Sequence, residues 1–230
     1  SPNFAATLTT SEDYTLTGVA LTVADAADLD GMNITGDGTI EITGAVTGQD
    51  FGSIIVGGVT FSTTASPNFA ATLTTSETYT VSSNITGLAS FVDDMTITIS
   101  NTGTVSISDW STGTPDLSDV VASGNDAALV VLTGDGTFAA AGVLPPFCTV
   151  TGAFVTTAAN ADGKTIANSG SGSSIQLTAL GATTDVSNVA PATITVTGDV
   201  TRASGTGNLG SGHTFDIADS QTFTVPAQDI

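Results

Sequence analysis

Gly38-Thr39-Ile40-Glu41-Ile42-Thr43-Gly44 alternates polar and apolar side chains between two glycines. In an extended chain successive side chains point to opposite faces. Ile40 and Ile42 therefore share one face and Thr39, Glu41 and Thr43 the other, which is the pattern of a half-buried β-strand. The pattern returns 65 residues on as Gly103-Thr104-Val105-Ser106-Ile107, and 154 residues on as Thr193-Ile194-Thr195-Val196-Thr197-Gly198. Residues 96–100 and 214–217 alternate in the same way, and Asp37-Gly38, Asp135-Gly136 and Asp162-Gly163 are dipeptides suited to turns with positive φ. Short strands separated by frequent turns predict an all-β chain.

The repetition extends well beyond these strands. Ser1-Pro2-Asn3-Phe4-Ala5-Ala6-Thr7-Leu8-Thr9-Thr10-Ser11-Glu12 recurs unchanged at residues 66–77. The offset of 154 also carries Thr60-Phe61 onto Thr214-Phe215 and Phe69 onto Phe223. These matches predict β units at 1–65 and 66–111, a divergent or inserted β segment at 112–176, diluted by Pro145-Pro146 and a Gly/Ser-rich stretch, and a third unit at 177–230. A unit of this length holds two or three solenoid coils of roughly 20–30 residues and is short for an immunoglobulin-like sandwich of about 100. Trp110 also lacks the cysteine pair of such sandwiches. The expected fold is a β-solenoid of stacked repeats, with tandem small β-sandwich domains as the alternative. The one expected helical turn lies in Val23-Ala24-Asp25-Ala26-Ala27-Asp28-Leu29.

Composition narrows the function classes. The 230 residues carry 22 acidic and 2 basic side chains, for a formal charge of −20. Lys164 and Arg202 cannot neutralise a phosphate backbone or an anionic bilayer, so neither nucleic-acid binding nor membrane insertion is expected. Glu12, Glu41 and Glu77 are the only glutamates. The acid is thus mostly aspartate, a turn residue. Cys148 is alone, so stability must come from packing rather than disulfides; in Leu144-Pro145-Pro146-Phe147-Cys148 it reads as a small buried hydrophobe. A start at Ser1 without a basic, apolar leader suits a processed chain or a piece of a longer one.

The run from Leu21 through Asp25-Ala26-Ala27-Asp28-Leu29-Asp30-Gly31 to Gly44 resembles the Asp/Thr/Gly-rich repeats of very large secreted bacterial adhesins and surface-fibre proteins. That resemblance implies an extracellular or cell-surface, β-rich, non-enzymatic structural role, often aided by calcium. The Gly-Gly-x-Gly-x-Asp pattern of calcium-binding nonapeptide repeats does not occur in this sequence.

Reactive constellations are sparse. His213 is the only imidazole and lies in Gly210-Ser211-Gly212-His213-Thr214-Phe215, which has no nucleophile-elbow pattern. One Cys and one His exclude Cys/His zinc sites. Asp25, Asp28 and Asp30, within six positions beside Gly31, offer the oxygen ligands Ca²⁺ accepts and are the candidate metal site, a solvated acidic loop being the alternative. Asp93-Asp94 and Asp116/Asp119 read as turns. Asn33-Ile34-Thr35 and Asn84-Ile85-Thr86 match the glycan acceptor pattern.

The expected function is that of a non-enzymatic structural subunit or fragment of an extracellular filament, sheath or adhesin stalk. Its expected partners are further copies of itself or other surface proteins, and residues 1–12 are a candidate strand donated to a neighbouring subunit. The alternatives are a surface glycan-binding module using loops around Trp110 and the middle segment, although a lone aromatic is expected first to fill a core, or a phage tail-fibre component.

Overall fold

The computed structural model describes residues 9–62, 66–100, 102–170 and 172–226. Among them every strand pairing is parallel. Parallel neighbours need a crossover, and here each crossover is one circuit of a β-solenoid of about 10 turns. Tandem sandwiches would instead show antiparallel ladders.

Five sheets run along the stack. Sheet I contains β1 (Asp13–Leu16), β3 (Asn33–Gly36) and β6 (Ile54–Ile55). Sheet II contains β2 (Ala20–Val23), β4 (Thr39–Ile42), β7 (Val59–Phe61), β9 (Thr78–Val81), β11 (Thr96–Ile99) and β13 (Val120–Ala122). Sheet III contains β5 (Thr47–Asp50), β8 (Ser66–Thr72), β10 (Asn84–Leu88), β12 (Thr104–Ser108), β14 (Val130–Leu132), β16 (Phe147–Val150) and β18 (Thr165–Asn168). Sheet IV contains β15 (Gly136–Thr137), β17 (Ala153–Thr157), β19 (Ser174–Thr178), β20 (Thr193–Val196) and β22 (Thr214–Ile217), and sheet V pairs β21 (Val200–Thr201) with β23 (Phe223–Thr224). Within the named strands, residues paired across neighbouring coils are between 17 positions apart, as in Leu177 and Ile194, and 25, as in Val105 and Val130.

The period-two pattern becomes two inward rows in sheet II. Leu21, Ile40, Val59, Tyr79, Ile97 and Val120 stack in register, as do Val23, Ile42, Phe61, Val81, Ile99 and Ala122, and all are buried. Each buried Leu, Ile, Val or Phe in these rows contributes about 1.5–3 kcal/mol relative to exposure. Outward, Thr22, Glu41, Thr60, Thr80 and Thr98 form a wetter row. Parallel sheets are usually covered on both faces. A solenoid covers only the inner one, which is why this sequence alternates instead of running continuously apolar. Aromatic rings fill part of the core: Phe61 stacks on Tyr79 at 5.7 Å and meets Phe69 edge-on at 5.0 Å.

The sequence repeat is not a whole number of coils. Residues 9–16 and 74–81 share six of eight residues and fold alike: the Tyr14 hydroxyl accepts the Thr9 N–H at 3.0 Å, and the Tyr79 hydroxyl accepts the Thr74 N–H at 3.1 Å. Yet β1 belongs to sheet I and β9 to sheet II. The 65-residue offset likewise moves β4 in sheet II onto β12 in sheet III. Each copy has therefore advanced by three coils and one sheet. The sequence units do not close as separate bodies, because sheets II and III run across 65/66, sheet III runs across 111/112, and 176/177 falls within β19. Residues 1–8, most of the segment proposed above as a donated strand, lie outside the described residues.

Candidate functional site

Asp25, Asp28 and Asp30 surround one corner. Asp25 caps the 3-10 turn Ala26–Leu29, its carboxylate accepting the Ala27 N–H at 3.0 Å; Asp28 lies in that turn and is exposed. Asp30 reaches the next coil and accepts the Asp50 N–H at 2.7 Å. Two of the three carboxylates thus serve backbone donors. Among the described residues no three His, Cys, Asp or Glu side chains gather in a group that could hold a metal ion.

Two other corners, which the sequence marks only as turns, are built like the Asp30 corner. The Gly31 N–H donates to the Asp50 carbonyl at 2.8 Å while the Asp50 N–H donates to the Asp30 carboxylate. Asp94 and Asp93 make the same two bonds with Asp116, at 3.0 and 2.7 Å, and Gly163 and Asp162 make them with Asp185, at 2.9 and 2.7 Å. The second residue of each pair is left-handed, with φ of 65°, 59° and 65°. A helical turn precedes each pair, namely Ala26–Leu29, Ala89–Phe91 or α1 (Ala158–Ala161). The shared signal is Ala-x-x-x-Asp-(Gly/Asp), followed two residues later by Asn or Thr and then Ile. The partner aspartates repeat the device: Asp50, Asp116 and Asp185 accept the N–H groups of Gly52, Ser118 and Ser187 at 2.8, 3.0 and 3.0 Å. Much of the acid is thus a set of clamps between coils.

The other singled-out groups are built into the structure as well. Trp110 is 1% exposed, donates Nε1–H to the Thr133 carbonyl at 2.9 Å and packs on Phe138 and Phe154. Trp110 thus takes the core position expected of a lone aromatic, and the alternative of a surface platform for a sugar ring does not hold for it: its large apolar area is worth more inside the coil. Cys148 is buried beside β18, and burial pushes its thiol up to about 12, opposed by Lys164. His213 Nδ1 accepts the Ala192 N–H at 3.2 Å, and burial holds the imidazole below its ordinary pKa despite nearby backbone groups. Arg202 is 2% exposed and donates to the carbonyls of Gly181, Thr184 and Thr206, each at 2.9 Å. Asn33 donates to the Asp13 carboxylate at 2.6 Å, and Asn84 accepts from the Thr104 hydroxyl at 2.8 Å, so both acceptor-motif asparagines already bridge coils.

Apolar side chains are exposed along the stack, at Ile55, Leu88, Val121 and Val143, and in the outermost described coils. The last coil leaves inward-facing residues half covered: Phe215 and Phe223 are partly exposed, with rings 5.0 Å apart, and Ile217 is 44% exposed. In the first coil Tyr14 and Leu16 are half-buried and Val19 is 46% exposed. β1, β2, β22 and β23 are outermost in their sheets, so each presents an edge of backbone N–H and C=O groups. Between the ends a shallow groove of about 330 Å³ runs over β8 and β10, lined by Phe69, Leu88 and Phe91 among others.

Comparison of this chain with protein-family models, with curated proteins and with solved structures gave no match.

Proposed function

We propose that this chain is a structural subunit, or a segment of one, of an extracellular filament, sheath or adhesin stalk, and that it works by end-to-end cohesion rather than by catalysis. The observation that carries the reading is the contrast between middle and ends. Along the stack, carboxylates, the buried arginine and the tryptophan indole all hold coils together. In the outermost described coils, apolar rows are only half covered and the strands end their sheets.

Open β-edges are normally blunted by lysine, proline, bulges or a covering element, because they recruit other chains. A solenoid normally needs polar capping repeats for solubility. Phe215 and Ile217, on the outermost described strand of sheet IV, are apolar where such a cap is polar. The surface charge of −20 supplies the opposing term, since copies repel one another at low ionic strength and lose much of that repulsion when the Debye length falls to about 10 Å at 0.1 M salt. Association is therefore salt-promoted, and divalent cations act as screening ions.

Light scattering of the purified chain against sodium chloride tests this. Scattering that rises with salt and with protein concentration supports cohesion; scattering that stays flat in both rejects it.

A further inference from the structure

We infer that β22 of one copy pairs with β1 of a second copy, in the register that β7 and β9 adopt inside the chain. The inference rests on the cohesion reading above and adds the surface, the partner and the alignment.

The internal junction is the template. β4 and β20 are sequence twins, Thr39-Ile40-Glu41-Ile42 against Thr193-Ile194-Thr195-Val196. β7 lies on β4 with Val59 over Ile40 and Phe61 over Ile42; β22 lies on β20 with Phe215 over Ile194 and Ile217 over Val196. The bond that follows is the same, Ser62 N–H to the Ile42 carbonyl at 2.8 Å and Ala218 N–H to the Val196 carbonyl at 3.0 Å. β22, the outermost described strand of sheet IV, therefore presents the surface that β7 presents partway along the stack.

That surface is covered in the interior by β9, with Val59 paired to Tyr79, Thr60 to Thr80 and Phe61 to Val81. The twin of β9 is β1, which has the same preceding corner and the same tyrosine hydroxyl bond. Burial shows what β1 is missing. Glu77, Tyr79 and Val81 are 5%, 0% and 1% exposed, whereas Glu12 is exposed and Tyr14 and Leu16 are half-buried. On the other side Val59 and Phe61 are each 1% exposed, whereas Phe215 is half-buried and Ile217 largely open. Among the described residues, the rows that close at the β7–β9 junction are only partly covered at β22 and β1.

Joining them sets Phe215 against Tyr14, Asp216 against Thr15 and Ile217 against Leu16. Both edges belong to parallel sheets, so the contact preserves strand direction only when copies meet head to tail. A head-to-tail contact uses two different surfaces and leaves one of each free at the ends of the assembly, so it propagates as a filament unless the rotation closes a ring.

Thr15 and Asp216 are both exposed and point outward, and neighbouring strands about 4.8 Å apart suit a disulfide. The T15C/D216C variant, oxidised in high salt, is expected to give a ladder of covalent dimers, trimers and longer species on a non-reducing gel. An equal mixture of the T15C and D216C single variants is expected to stop at dimers, and T15C/T214C, displaced by two residues, to give severalfold less product. Ile217→Asp is expected to abolish association with the far-ultraviolet circular dichroism unchanged. Association by sedimentation with no T15C/D216C product above the T15C/T214C background overturns this interface and leaves the cohesion reading standing. Absence of association at any concentration or salt overturns both.

Discussion

Asp93→Ala probes the coil clamps directly. The substitution removes the 2.7 Å bond from the Asp116 N–H while leaving the reciprocal bond from the Asp94 N–H to the Asp116 carbonyl intact. The corner is half-buried, so the abandoned N–H recovers only part of its hydration. A hydrogen bond contributes a net 0.5–1.5 kcal/mol and an unsatisfied buried donor costs about 1–3, which places the loss at about 1–2 kcal/mol. For a chain of this size that corresponds to a fall in melting temperature of roughly 2–8 °C. Asp93→Asn keeps a carbonyl oxygen in the accepting position and should lose less than about 0.5 kcal/mol. Asp94→Gly should act in the opposite direction. The left-handed backbone at φ 59° costs an ordinary residue roughly 1–2 kcal/mol, partly offset by the unfolded-state entropy of glycine, for a net gain of about 0.5–1 kcal/mol. Gly31 and Gly163 hold the equivalent places. Thermal melts of the three variants, followed by circular dichroism, check the set. Equal losses for Ala and Asn, or destabilisation by Asp94→Gly, would refute the clamp argument.

Cys148, with its thiol pushed up to about 12 by burial, should resist a thiol reagent at pH 8 and become reactive only as urea unfolds the chain. Arg202→Met should destabilise the coils joined by its three carbonyl contacts by about 2–4 kcal/mol, since those carbonyls are left without their charged donor; urea titration reads the loss. His213 binds its proton less readily folded than unfolded. Stability is therefore full above the unfolded value near 6.5 and declines as pH falls through it towards the depressed folded value, the protonated ring also losing its bond from Ala192. Hydrogen exchange at pH 7.5 and 5, corrected for the intrinsic rate, should show that decline in the last coils, and His213→Gln should weaken it.

Several parts of this architecture were legible in the sequence. The alternation in Thr39-Ile40-Glu41-Ile42 and its relatives signalled half-buried strands, since an inward row requires a period of two regardless of how the coils stack. The helical turn in the run from Val23 to Leu29 is present as Ala26–Leu29. The coil length was hidden, because the visible repeat advances three coils and one sheet and so never returns a strand to its own sheet. The Asp93 and Asp162 corners were legible as turns, but their clamping role was hidden for a related reason. Their partners, Asp116 and Asp185, are 23 residues away in each case, a spacing set by the coil, and the left-handed residue is Asp at one corner and Gly at the other. Asp25, Asp28 and Asp30 drew attention as neighbours in sequence, whereas Asp30 is directed at Asp50 in the next coil. Trp110 gave no local sign of burial, as Phe138 and Phe154 reach it from later coils.

Sedimentation velocity of the intact chain across a range of concentrations at 0.5 M salt addresses the central claim most directly. End-to-end cohesion predicts a broad series of growing, elongated species that dissolves on dilution and disappears in the Ile217→Asp variant. A single species with the mass of one chain at every concentration would contradict it.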